Sequence, residues 1–91
     1  MVSFLRQKGD PNTNLKRIMI FSYWLDKHGT SEFTAEDIDE LFDESRNRTP
    51  ANLPRDLGKL QGRGILIEKG KEGNAIIYTL SSDGIQQVED M

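Results

Sequence analysis

The stretch Gly64-Ile65-Leu66-Ile67-Glu68-Lys69-Gly70-Lys71-Glu72-Gly73-Asn74-Ala75-Ile76-Ile77-Tyr78-Thr79-Leu80 decides the fold. Apolar and β-branched residues dominate at Ile65-Leu66-Ile67 and again from Ile76 to Leu80, with a Gly- and Lys-rich break between them. That pattern predicts a hairpin with strands at 65–69 and 75–80 around the turn Gly70-Lys71-Glu72-Gly73-Asn74. Beyond it, Ser81 or Ser82 is placed to cap a short final helix with Ile85 and Val88 as its apolar contacts.

Upstream of the hairpin the apolar period becomes helical. Leu53, Leu57 and Leu60 stand at i, i+4 and i+7, which predicts a helix over 53–62. Asn52 as N-cap puts Pro54 in the first turn, where no backbone N–H is missed. Gly62 and Gly64 end it, and Gly58 weakens it by about 1 kcal/mol relative to alanine unless a neighbour packs closely there. Before it, Thr34 caps an acidic helix over 35–45, with Asp37 three residues on in the capping-box position and Ile38, Leu41 and Phe42 inward. Glu32-Phe33-Thr34 is long enough only for an edge strand. A helix over 14–28 carries Leu15, Ile18, Met19, Phe21, Ser22 and Leu25 at helical spacing. Ile20, Tyr23 and Trp24 fall outside that stripe, so the helix needs cover on more than one side, from the terminal segments or another subunit. A short helix is expected over 2–8. The order is helix, helix, helix, hairpin, in one α+β domain spanning 1–91, with 1–13 as an N-terminal extension and 14–90 as the core.

Charge is segregated along the chain. The net charge is -3, yet residues 26–45 carry eight acids against Lys27, while residues 46–63 carry Arg46, Arg48, Arg55, Lys59 and Arg63 against Asp56. Such a field steers a polyanion to one face. With no cysteine, disulfides, thiolate metal sites and cysteine nucleophiles are excluded, and the expected compartment is the cytoplasm. No apolar run reaches the roughly 20 residues of a membrane span.

The segments Phe33-Thr34-Ala35-Glu36-Asp37-Ile38, Thr49-Pro50-Ala51-Asn52, Arg55-Asp56-Leu57-Gly58-Lys59-Leu60, Gly64-Ile65-Leu66 and Tyr78-Thr79-Leu80-Ser81 with Gly84 resemble the winged helix-turn-helix domains of small bacterial and archaeal transcription regulators. Tyr78 to Gly84 is similar to the "Tyr-x-Leu-Thr-x-x-Gly" ending of many of them. The resemblance implies a three-helix core, a C-terminal β-hairpin wing at 65–80 and short flanking terminal helices. It also implies double-stranded DNA as partner, with helix 53–62 in the major groove and the wing on the backbone or minor groove. Mapped onto this chain, it assigns Asn52, Arg55, Lys59 and Arg63 to the helix, and Lys69, Lys71 and Asn74 to the wing.

Arg and Lys pair with guanine edges or phosphates, and Asn with adenine. Arg46 and Arg48 lie in the turn before that helix, near the DNA backbone, where each neutralised phosphate adds to the salt dependence of binding. The competing reading of these cations is a solvated face salt-bridged to the acids of the preceding helix. Glu68 and Glu72 offset Lys69 and Lys71, which favours the alternative function, a winged helix used for protein–protein contact. The acidic series Asp37, Asp39, Glu40, Asp43, Glu44 lacks calcium-loop spacing and reads as a solvated face. His28 is the only histidine; without a second ligand it forms no zinc site. No nucleophile motif surrounds the serines, so no enzyme activity and no cofactor are expected. Ile20, Tyr23 and Trp24 form the expected dimer face in a homodimer or larger assembly.

Overall fold

A computed structural model describes residues 13–91. The expected helix at 2–8 lies outside them. The elements are α1 (Asn14–Lys27), β1 (Glu32–Phe33), α2 (Ala35–Glu44), α3 (Leu53–Gly62), β2 (Leu66–Glu72), β3 (Ala75–Leu80) and α4 (Ser82–Glu89). The strands form one antiparallel sheet in the order β1-β3-β2.

Helix α1 starts at Thr13, whose hydroxyl accepts from the Lys16 N–H. It buries Ile18, Met19, Ile20, Phe21, Ser22 and Leu25. Ser22 is tolerated inside because its hydroxyl donates to the Ile18 carbonyl at 2.7 Å. The broad apolar circumference is covered from several sides: α1 packs on α2, α3, α4, β1 and β3. Phe21 meets Phe42 of α2 edge-to-face, with ring centroids 4.9 Å apart, worth about 0.5–1.5 kcal/mol beyond the area buried.

Three helices end in the same way. After α3, Gly64 at φ 75 donates to the Gln61 carbonyl and Ile65 donates to that of Leu60, which is the Schellman pattern. Leu60 and Ile65 are both buried and complete it. After α1, Gly29 at φ 91 lets Thr30 donate to Leu25. After α2, Asn47 donates to Phe42 and the left-handed position is Arg46, at φ 60.

The hairpin differs from expectation. Glu72 pairs with Ala75, so the turn is only Gly73-Asn74. Gly73 has φ 61 and Asn74 is not in the left-handed region, the sign pattern of a type II′ turn. Gly70 is not part of the turn. The register shifts between Glu68 and Gly70, leaving Lys69 as the extra residue of a bulge and Gly70 at φ 154. Ile65 precedes β2 rather than opening it.

Helix α4 is capped by Ser81, whose Oγ accepts from the Gly84 N–H at 3.0 Å and donates to the Gly64 carbonyl at 2.6 Å. A Cβ on Gly84 would stand 2.6 Å from Leu80 Cδ1 and 2.7 Å from the Ile65 carbonyl oxygen. The glycine therefore lets α4 close against the start of β2, and Val88 is fully buried behind it.

Candidate nucleic-acid interface

The α2–α3 connection is held by local polar bonds. Asp37 accepts from the Thr34 N–H at 2.9 Å and closes the start of α2. Asn47 donates to Ser45 Oγ at 2.9 Å, Thr49 donates to the Asp39 carboxylate and Pro50 is buried. Asn52 then caps α3, its side chain accepting from the Arg55 N–H at 3.2 Å.

Leu53, Leu57 and Leu60 point into the core, as the spacing predicts. Asp56, a charged residue on the flank of that face, is buried beside them at 7% exposure. Arg55 Nε lies 3.9 Å from its Oδ1, so one outward cation is tethered to a sheltered carboxylate. The outward stripe of α3 is Arg55, Gly58, Lys59 and Gly62, all exposed. Nothing lies within 4 Å of a Cβ built at Gly58 or Gly62. Gly58 is thus not making room for a neighbour within the chain; the two glycines leave bare backbone next to two cations.

The Arg55–Asp56 contact is the only ion pair within 4.0 Å among the described residues. The acids of α2 hold no cation of α3, contrary to the salt-bridged reading of this face. Arg46, Arg48, Lys59 and Arg63 are exposed without a carboxylate partner. In the hairpin, Lys69 at the bulge, Lys71, and Asn74 at the turn are exposed. Glu68 and Glu72 are close in sequence to the two lysines but pair with neither.

A solved structure with the same arrangement is that of MepR, a transcription regulator of the Staphylococcus aureus multidrug efflux pump MepA. It superposes with a TM-score of 0.61 at 18% identity, covering 97% of this chain and 61% of that one. The fold is a winged helix. The chain spans about three-fifths of the length of MepR, and the likeness at this identity is one of fold. No protein-family model and no curated protein matches the chain.

Within the winged helix, α1, α2 and α3 are the helical core and β2–β3 is the wing. The expected dimer face is corrected at one position. Ile20 is fully buried and belongs to the core, because α1 is covered around most of its circumference. Tyr23 and Trp24 are half-buried. Tyr23 donates to Glu89 of α4 at 3.2 Å, and Trp24 stacks on His28 with centroids 4.1 Å apart. Partial burial, then the Glu89 hydrogen bond and the charges of Glu89 and Asp26, hold the Tyr23 pKa above the ordinary tyrosine value.

Sequence reasoning overlooked Arg17. It lies on α1, half-buried, in a groove shared with Arg48, Thr49 and Pro50. Only the packing of α1 against the α2–α3 connection reveals it, since no local spacing links residues 17 and 48.

Proposed function

We propose that this protein binds double-stranded DNA as a transcriptional regulator, with α3 in the major groove and the wing on the backbone or minor groove. The observation that carries this reading is the outward face of α3: Arg55 and Lys59 alternate with Gly58 and Gly62, and no acid of α2 pairs with them. Bare helix backbone permits close approach to a groove about 12 Å wide. Arg55 is suited to guanine O6 and N7, Lys59 to guanine or phosphate, and Asn52 to adenine. Arg46, Arg48, Arg63, Lys69 and Lys71 are assigned to phosphates, which set register and salt dependence without reading sequence. Asn74 is assigned to the wing contact. A single module of this kind buries about 600–1,000 Å² on DNA, so the reading includes two copies on two half-sites, with Tyr23 and Trp24 near the contact between copies.

The test is fluorescence anisotropy with duplex DNA at two salt concentrations. Lys59→Ala is the cleaner single variant, because removing Arg55 also strips the buried Asp56 of its cation. Lys59→Ala is expected to weaken binding by about 1–3 kcal/mol if it reads a base, or to lower the salt slope by about 1 if it holds a phosphate. Combined with Arg55→Ala, the loss should be larger. A folded double variant that binds like the wild type would overturn the role of α3. A wild type with no affinity for duplex at low salt would favour a protein partner, whose apolar contact responds little to salt.

A further inference from the structure

A second basic feature lies beside the N-terminus of α3, outside the stripe that carries the function above. A groove of about 360 Å³ is lined by Asn14 and Arg17 of α1 and by Arg48, Thr49, Pro50 and Ala51 of the connection. Arg17 Nε is buried there with no hydrogen-bond partner; it is the one such buried side-chain atom among the described residues. Burying that N–H unpaired is unfavourable, and the rest of the half-buried guanidinium, which has no hydrogen bond or ion pair of its own among the described residues, is left for an acceptor in the groove. Arg48 shares the groove as an exposed second cation. No carboxylate among the described residues lines it. Asp39 is held by the Thr49 hydroxyl and lines the adjoining groove with Glu36. Asn14 adds the first turn of α1, where helix N–H groups favour an anion.

We infer that Arg17 and Arg48 together clamp one backbone phosphate of the duplex that α3 enters. The inference rests on the DNA reading above and adds to it a strand contact made by α1. Ala51 borders the groove one residue before the α3 cap, so a phosphate held there lies at the mouth of the major groove. Two guanidinium groups suit a phosphodiester, since each presents N–H donors in a fork that matches phosphate oxygens. Arg17, being half-buried, gives up less freedom on binding than a fully exposed arginine.

The experiment compares wild type, Arg17→Gln, Arg17→Lys and Arg48→Gln with the Arg55→Ala/Lys59→Ala variant, all on the same duplex across a salt series. Removing one phosphate contact should lower the salt slope by about 0.9, which is about tenfold in affinity at 0.1 M salt. Arg17→Gln and Arg48→Gln are each expected to show this, and Arg17→Lys to retain the slope but bind more weakly for want of the fork. Should Arg17→Gln fold poorly, Arg17→Lys carries the test, because it keeps the charge and loses only the fork; an Arg17→Lys that binds as tightly as the wild type would overturn the clamp. Arg17→Gln and Arg48→Gln matching the wild type while the α3 variant fails would overturn the clamp and leave the DNA reading standing. No duplex binding by the wild type would overturn both. Inorganic phosphate that raises the wild-type Tm but not that of Arg17→Gln, with DNA affinity unchanged, would identify a free-anion site and also overturn the clamp.

Discussion

Arg46 is the residue whose conformation is hardest to reconcile with stability alone. Its φ of 60 occupies the position that glycine fills at Gly29 and Gly64. A side chain in that region costs about 1–2 kcal/mol, and such residues are found where function sustains them. Arg46→Gly is expected to raise stability to chemical denaturation by about 1 kcal/mol and to lower the salt slope of DNA binding by about 1. Equal or lower stability would show that the turn holds no strain there. Neither this conformation nor the burial of Asp56 could be read from the sequence. A Schellman ending advertises itself by glycine, and an amphipathic pattern sends every charge outward. Asp56 lies on the shoulder between the two faces of α3, where packing decides its exposure and periodicity does not.

At the level of elements, α3 was the most legible, since Asn52, Pro54 and Gly64 mark its two ends by separate physical constraints. The hairpin was recognisable as a hairpin but not in its register. Gly70 and Gly73 are chemically the same turn signal, and only the pairing with β3 separates the bulge from the turn. Helix α1 was legible in extent but not in exposure, because its cover comes from elements distant in sequence. The same blindness hid Arg17. The open glycines of α3 give a prediction with opposite signs for folding and binding. Gly58→Ala is expected to stabilise the domain by about 1 kcal/mol in thermal or denaturant unfolding, since the helix gains propensity and the methyl meets open space. The same methyl should weaken duplex affinity by standing between helix backbone and groove. An alanine variant that binds DNA as tightly as the wild type would show that the glycines do not serve close approach.

At the scale of the whole molecule, two phenols shape the alkaline pH response. Tyr78 is buried near Glu68 and Tyr23 is tied to Glu89. Both have folded-state pKa values above the ordinary 10.0, so the folded state binds these protons more tightly than the unfolded chain. Their contribution is fully present below pH about 10 and is lost as the pH rises through the folded values. Denaturation across the alkaline range should therefore show declining stability, and Tyr23→Phe should remove part of the decline. A Tm that stays unchanged through that alkaline range would contradict it.

Both borders of the three-stranded sheet are short or broken. On one side β1 offers only Glu32–Phe33. On the other, β2 is interrupted by the bulge at Lys69, with Gly70 at φ 154, so its free N–H and C=O groups never present a long straight row. Flanking lysines at 69 and 71 add mutual repulsion between approaching copies. A fibril grows by stacking intact strand borders, and the described residues display none to stack on. At high local concentration, the bulge in the wing works against runaway polymerisation.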